Sequence, residues 1–583
     1  MILGIDLGTT NSLISVHLDG KVRCIPNALG SDLTPSVVGL DDDGSVLVGR
    51  PACERLISHP DRTASVFKRH MGTDQVVELG GRPFRAEELS SLVLRSLKAD
   101  AEAFLGEPVK QVVISVPAYF NETQRRATRH AAVLAGLEAV RLINEPTAAS
   151  IAYVIDKLED DGLFMVLDLG GGTFDVTILE LFARTIEIRA TSGDIQLGGE
   201  DFSRRLADLF LRENGLLADQ LDPQEKAVVR RLAESAKVQL SDSDTCLLEA
   251  RLQNRDLVWP TTREAFDSAC ADLWTRILGP VERALSDAGV NPDDDFEILL
   301  VGGATRMPKI VSLARKMFGR APHREIDPDR VIAVGAGVQA ALIADNRAFG
   351  DVVMTDVCPW TLGVEVAEST GQGKHTTGHF LPLIERNRTV PVSVSEILSP
   401  VHPGQKRIEL KVFQGESRKV ANNILLGTLS VPLPTSAICP VDVRFTYTVD
   451  GILEVEVKPE GSARVERLVI QQTPGLLTDA EIEKRLAELA HLKMAPRERA
   501  EYRDLLARLD AHYATALKDR RRQLALVMQQ FEAALENQDE SHYNAMARTI
   551  RGYLASLDRD GTLFDQSFLD RDEEDGPADE DEA

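Results

Sequence analysis

Two short stretches, Asp6-Leu7-Gly8-Thr9-Thr10 and Asp168-Leu169-Gly170-Gly171-Gly172-Thr173-Phe174-Asp175, each follow an apolar run and repeat one design in distant parts of the chain. The repetition predicts a nucleotide cleft built from two related halves. The runs before them, residues 2–5 and 163–167, are short and rich in β-formers, so they read as buried strands, and the Gly/Thr segments as tight turns. Glycine lets backbone N–H groups come close to phosphate, and clustered amides make an anion-binding nest. Each stretch also opens on an aspartate, which repels phosphate unless a divalent cation lies between them. Mg²⁺ suits that arrangement, because it keeps most of its waters and is held by one or two carboxylates plus phosphate oxygens. One Asp-Leu-Gly-Thr turn alone carries little weight; the pair carries much more. No Gly-x-x-x-x-Gly-Lys-Ser/Thr segment occurs, so a Walker-type loop is not the phosphate binder.

Two more segments fit the same cleft. Leu299-Leu300-Val301-Gly302-Gly303-Ala304-Thr305-Arg306 again runs from strand into glycine turn and could meet the adenosine side of a nucleotide. In Asn144-Glu145-Pro146-Thr147-Ala148-Ala149, a glutamate precedes a proline that fixes the start of a helix.

At 583 residues the chain is long enough for several domains. Its net charge of -25 argues against nucleic acid or a membrane surface as the main partner, since both reward basic patches. Part of that charge is local: from Asp570 to Glu582 nine acids stand against one arginine, the composition of a disordered, solvated tail. The six cysteines, at 24, 53, 246, 270, 358 and 439, lack metal-ligand spacing and fit a reduced cytoplasm. The first strand begins at the second residue, which leaves no room for a signal peptide, and no apolar run is long enough to span a bilayer. A cytoplasmic protein is therefore expected.

Residues 1 to about 350 alternate apolar strands with amphipathic helices, the pattern of an α/β domain. From 357 to about 472 a period of two takes over, with Ile408, Leu410 and Val412 in one run and Val441, Val443, Phe445, Tyr447 and Val449 in another. Asp450-Gly451 follows, and Ile452 is expected to begin the return strand of a two-residue hairpin. The result is an antiparallel β-domain closed by Pro474-Gly475. Thr478-Asp479-Ala480-Glu481 is a capping box opening a helical region, where Tyr502, Leu505, Leu509, Tyr513 and Leu517 form one face of a long helix.

The motifs Asp-Leu-Gly-Thr-Thr-Asn, Val116-Pro117-Ala118-Tyr119-Phe120, Asn-Glu-Pro-Thr-Ala-Ala, Asp-Leu-Gly-Gly-Gly-Thr-Phe-Asp and Gly198-Gly199-Glu200-Asp201-Phe202 occur in the order found in seventy-kilodalton heat-shock protein (DnaK) chaperones. The chain resembles that family over nearly its whole length. Thr355-Asp356-Val357-Cys358-Pro359 and Ile384-Glu385-Arg386-Asn387 look most similar to the HscC-type bacterial branch. The resemblance implies a multidomain protein with an α/β actin-like (duplicated ribonuclease-H-like) ATPase domain at 1–350 and an interdomain linker at 351–356. A β-sandwich peptide-binding domain at 357–473, a helical lid at 476–558 and an acidic tail at 559–583 complete the layout.

It also implies an ATP hydrolase with ATP/ADP and Mg²⁺, K⁺ as an accessory ion, extended hydrophobic client polypeptides and a J-domain co-chaperone. In that frame Asp6 and Asp168 hold Mg²⁺ through its waters. Thr9 and Thr173 bind phosphate with Gly8, Thr10, Gly170, Gly171 and Gly172, while Lys68 supplies a point charge beside the attacking water. Glu145 and Asp175 complete the carboxylate shell. Glu234, Lys237 and Ser241, spaced three and four apart on one helix face, line the adenosine pocket with Gly198, Gly199, Gly302, Gly303 and Arg306. Pro117 and Arg125 relay nucleotide state to the linker, whose Val352 and Val353 dock on the ATPase domain, and Arg386 and Asp450 couple the domains. Val364, Val366, Ala367, Leu398, Val401, Ile408 and Leu410 surround the client peptide.

Some features depart from the family. Thr355 sits where relatives carry a larger aliphatic residue, which predicts weaker linker docking. Trimming after Gly72 and between Leu240 and Thr262 puts dependence on the usual nucleotide-exchange factor in question. A loop with three glycines, Glu368 to His379, is longer than usual beside the peptide slot. His59-Pro60-Asp61 spells the J-domain tripeptide, but amid an ATPase region it is not expected to act as one. A sugar or acetate kinase would share the phosphate turns without the β-domain and lid, and an actin-like filament protein would end near residue 350. A regulatory holdase with a weak or uncoupled ATPase would look the same in sequence, although here every inferred catalytic position is filled.

Overall fold

The computed structural model describes residues 1–155, 161–182, 184–323, 327–345, 353–371, 374–402, 404–433, 439–448, 451–462, 464–470, 500–515, 523–531 and 540–560. The two acidic turns open two sheets of the same plan. In the first, strands Ile2–Leu7, Asn11–Leu18 and Lys21–Cys24 form an antiparallel meander, with Gln111–Val116 running parallel to Ile2–Leu7 and Glu138–Asn144 outside it. In the second, Gly162–Leu169, Phe174–Phe182 and Thr185–Asp194 repeat the meander, and Glu297–Val301 is the parallel neighbour. Each phosphate turn joins the first two strands of its meander, so the duplication read from the motifs is present in the topology.

Apolar side chains on these strands drive the packing. Leu3, Ile5, Val112 and Ile114 are buried with the helix Ala86–Leu105 in one core, and Phe174, Phe202 and Phe210 in another. Burying each such large side chain contributes about 1.5–3 kcal/mol. The helix Val331–Ala344 crosses between the sheets. It fits only because Gly335 faces the carbonyl of Ala148, where a Cβ would stand 1.7 Å from the oxygen.

The linker read in sequence is a strand. Val353–Val357 adds parallel to Thr185–Asp194 at the edge of the second sheet, and its last two residues pair with Thr389–Val390. One strand thus joins the nucleotide-binding fold to the β-domain. Val352 lies outside the described residues. The Thr355 hydroxyl is buried and finds no hydrogen-bond partner among the described residues, and leaving such a group unsatisfied costs about 1–3 kcal/mol.

The β-domain is two four-stranded sheets, one ordered Lys374–Ile384, Leu362–Gly371, Arg407–Gln414, Ile424–Pro432 and the other Val392–Leu398, Val441–Tyr447, Leu453–Pro459, Glu466–Ile470. Val441, Val443, Phe445 and Tyr447 alternate inward as their period of two requires. The turn after them differs from the expected two-residue hairpin. Gly451 has φ 75 and donates its N–H to the Thr448 carbonyl, and the return strand begins at Leu453. A glycine in the left-handed region after aspartate serves this longer connection as well as the shorter one. The segment Glu368 to His379, expected as a loop, continues the hairpin of Leu362–Gly371 with Lys374–Ile384, with register shifts that absorb its extra residues.

In the helical region, Tyr502, Leu505, Leu509 and Tyr513 share one face of helix Ala500–Thr515 and pack with Leu524, Phe531, Ile550 and Leu554. This helix also lies against helix Arg50–Ser58 of the first lobe, where Arg50 pairs with Asp504 at 3.2 Å. Pro474-Gly475, the capping box at 478–481, Leu517 and the acidic tail lie outside the described residues. His59 ends helix Arg50–Ser58 inside the first lobe, with Nδ1 4.0 Å from Asp510. It is not in the interhelical loop that the J-domain role requires.

Candidate nucleotide site

The two turns meet. A Cβ on Gly171 would lie 1.8 Å from the hydroxyl of Thr10, so only glycine lets the second half approach the first this closely. Between them opens a cavity of about 380 Å³. From the first half it is lined by Asp6, Gly8, Thr9 and Thr10, and from the second by Asp168, Gly170, Gly171 and Thr173. Lys68 and Glu145 form one wall. Glu234, Lys237 and Ser241 share one face of helix Pro223–Asp242 on the other side, with Gly199, Gly302, Gly303 and Arg306.

Gly172, Gly198 and Asp175 stand behind this wall. Gly198 backs onto Gly172, where a Cβ would come within 2.5 Å of its nitrogen. The Asp175 carboxylate accepts the N–H of Tyr119 at 3.2 Å.

Charge at the phosphate end is concentrated. Four carboxylates, Asp6, Glu145, Asp168 and Asp175, are buried beside the single ammonium of Lys68, which pairs with Glu145 at 2.6 Å. Burial, reinforced by the nearby Glu145, pushes Asp6 up to about 7, Asp175 up to about 8 and Asp168 well above the usual carboxylate range. Ser115 donates to Asp6 Oδ1 at 2.7 Å, while Asp168 Oδ2 is buried and finds no hydrogen-bond partner among the described residues. An oxygen left so, in a cluster short of positive charge, fits a cation. Among the described residues no three acidic, histidine or cysteine side chains converge to chelate an ion directly.

Lys237 donates to the Gly199 carbonyl at 3.0 Å and to Glu234 at 2.7 Å, and Ser203 also bonds Glu234. Arg306 is steadied by Asp329 at 2.7 Å. Sequence reasoning missed Arg69. Its guanidinium donates twice to the Gly172 carbonyl, at 2.9 and 3.1 Å, and grips Asp201, which accepts the N–H of Gly198 at 2.9 Å. Arg69 therefore clamps the second turn to the first lobe. Its place beside Lys68, and the aspartate in Gly-Gly-Glu-Asp-Phe, were the available signals.

A polar path leaves the site. Arg125, 8% exposed, donates to the carbonyls of Ala118 and Phe120 and to Asn144 Oδ1 at 2.5 Å. The amide of Asn144 donates to Asp356 of the linker strand at 3.0 and 3.2 Å. Pro117 accepts the N–H of Phe120 and so shapes the turn that Arg125 holds. Across the domain boundary, Arg386 forms a bidentate pair with Asp287 (2.7 and 3.0 Å) and bonds Glu416 at 2.9 Å. Hydrogen bonding to Arg386 holds Asp287 below its ordinary range. Asn387 bonds Asp287 and accepts from Thr191. Asp450 lies outside the described residues, and of Val353 only the strand backbone is described.

Among the candidate peptide contacts, Val364 and Leu410 are buried, Val366, Ala367, Leu398 and Ile408 half-buried, and Val401 is 38% exposed. Val364, Val366, Ala367, Ile408 and Leu410 belong to one sheet of the β-domain and Leu398 to the other; Val401 follows that strand.

The Hsp70 protein family model matches residues 2–567. Curated relatives include "Chaperone protein DnaK" of Thermotoga neapolitana and of Thermotoga maritima, each 41% identical over 521 residues, covering 84% of this chain and 86% of the relative. The protein of the same name from Thermosipho melanesiensis is 41% identical over 488 residues, 80% of each chain. With duplicated turns, a shared cavity and a family match over almost the entire length, the chain belongs to the Hsp70 family.

Proposed function

We infer that this Hsp70 protein is an ATP-dependent chaperone that binds and releases extended hydrophobic polypeptide, with ATP hydrolysis coupled to peptide affinity. The observation that carries this is the linker strand Val353–Val357, paired on one side with the nucleotide-binding sheet and on the other with the β-domain. A client slot and an ATP site joined by one strand, the Arg386–Asp287 pair and the Arg125–Asn144–Asp356 path have the means to exchange free energy. Filled catalytic positions and an unbroken path favour this over an uncoupled holdase.

In the proposed mechanism Asp6 and Asp168 would hold Mg²⁺ through its waters. Bound there, the ion would supply positive charge that neutralises phosphate. Thr9, Thr10 and Thr173, with the glycine amides of both turns, hold the phosphates. Lys68, fixed by Glu145, places positive charge where charge builds up during transfer to water, and Glu145 and Asp175 orient that water. Glu234, Lys237, Ser241 and Arg306 hold the adenosine. The β-domain takes an extended client segment by backbone hydrogen bonds and apolar contacts at Val364, Val366, Ala367, Leu398, Val401, Ile408 and Leu410.

We further propose the layout 1–350, 351–356, 357–473, 476–558 and 559–583 for ATPase domain, linker, peptide domain, lid and tail. A J-domain partner, K⁺ as an accessory ion, kinship with the HscC-type branch and a cytoplasmic setting belong to the same proposal. All six thiols are free, and among the described residues no helix is long and apolar enough to cross a membrane. ATP turnover measured with and without an unfolded hydrophobic peptide tests the function: the peptide should accelerate it, and indifference to peptide would contradict coupling.

The raised carboxylates give a pH dependence. In the free protein Asp6 and Asp175 hold protons until pH passes about 7 and about 8, whereas ion binding needs the charged forms. Binding of Mg²⁺-nucleotide should therefore release about one proton or more near pH 7, and affinity should rise from pH 6 to 8. Calorimetry in two buffers of different ionisation enthalpy reads the proton count; zero release would contradict the assignment of these acids.

A further inference from the structure

We propose that Trp360 is a positioning residue that ties the nucleotide site to the β-domain through the backbone of Tyr119, a second route beside the Arg125 path. The inference rests on the coupled-chaperone reading. Tyr119 uses both faces of its backbone. Its N–H donates to Asp175 Oδ1 at 3.2 Å, and its carbonyl accepts the indole Nε1–H of Trp360 at 3.2 Å. The two rings also stack, with centroids 4.0 Å apart and planes inclined at 41°. Three residues therefore link a carboxylate behind the phosphate cavity to the first turn of the β-domain.

The junction has no slack. A Cβ on Gly193 would lie 2.7 Å from Asp175 Oδ1 and 3.2 Å from the Cβ of Tyr119, so the tyrosine is wedged against the strand that carries the carboxylate's partner. On the far side, Thr361 fixes both its N–H and its hydroxyl on Glu416 at 2.9 Å, and Glu416 accepts from Arg386. A displacement of Asp175 is thus passed to Trp360 and on to the residues that hold the two domains together. Tryptophan is the apolar side chain that carries an N–H, so phenylalanine or leucine at this position would keep the packing and strand the Tyr119 carbonyl.

The test compares Trp360→Phe and Trp360→Ala with the full-length parent, following release of a fluorescent hydrophobic peptide after ATP addition. Loss of one interdomain hydrogen bond should slow ATP-triggered release about three- to tenfold in W360F and more in W360A. Peptide affinity with ADP and basal ATP turnover should stay within about twofold, since Trp360 itself neither lines the phosphate cavity nor belongs to the candidate peptide contacts. A spectroscopic readout separates relay from mere packing. The other two tryptophans, Trp259 and Trp274, lie in the core of the second lobe, so an ATP-induced change in tryptophan emission should vanish in W360F. Should W360A unfold, as thermal melting would reveal, W360F carries the test. Unchanged release and unchanged emission response in W360F, beside a responsive parent, overturn the relay alone. A parent whose release ignores ATP overturns the chaperone reading and the relay with it.

Discussion

Replacing Lys68 by alanine is expected to slow ATP hydrolysis about 10²–10³-fold in single-turnover assays, the range seen when one preorganised group facing developing charge is removed. The reason is the charge balance at the phosphate end. Lys68 is 4% exposed and, among the described residues, is the cation that lines that wall beside Asp6, Glu145 and Asp168. Its Nζ also lies 5.6 Å from the centre of the Phe120 ring, a cation–π contact beside the pair with Glu145. Lys68→Met keeps the stem without the charge and should be nearly as slow as Lys68→Ala; near-parental turnover in the methionine variant would assign the residue to packing. Thr173→Ala removes the hydroxyl of a residue that lines the same cavity and should slow turnover with the fold retained. Unchanged turnover in both positions would remove these roles.

The second large effect is expected at Arg125. Alanine there strands the carbonyls of Ala118 and Phe120 and the Asn144 amide oxygen, all of which accept from one buried guanidinium. Asn144 then loses the partner that orients its amide toward Asp356. ATP-triggered peptide release should fall about ten- to a hundredfold, within the range of ordinary coupling energies, while single-turnover hydrolysis changes little. Arg125→Lys should fail to rescue, because an ammonium cannot serve three acceptors in the plane of a guanidinium fork. Full coupling in the lysine variant would show that charge alone, not the fork, carries the signal.

What was legible in the chain follows from how local each feature is. The twin turns could be read because the design recurs: one aspartate, glycine and threonine turn after an apolar strand carries little weight, and the pair carries much more. The faces formed by Val441 to Tyr447 and by Tyr502 to Tyr513 could be read because periodicity declares them. The Asp450-Gly451 hairpin was read one step too short, since a glycine at φ 75 suits a connection of either length. The Glu368 to His379 segment was read as a loop because glycines outweighed its strand formers, yet pairing across the hairpin held it extended. Contacts between distant segments left little local trace. Arg69 meeting Gly172 and Asp201, Arg50 meeting Asp504, and Trp360 meeting Tyr119 each join residues far apart in sequence whose types are ordinary at a surface. Arg386 was anticipated as a coupling residue, while its partner Asp287, on helix Ala271–Ala288, was not.

The central claim is that nucleotide in one cavity sets the grip of a remote sheet on polypeptide. Release of a fluorescent hydrophobic peptide, timed with ATP, with ADP and without nucleotide, tests it most directly. Release should be fast with ATP and slow in the other two conditions; equal rates in all three would contradict the account.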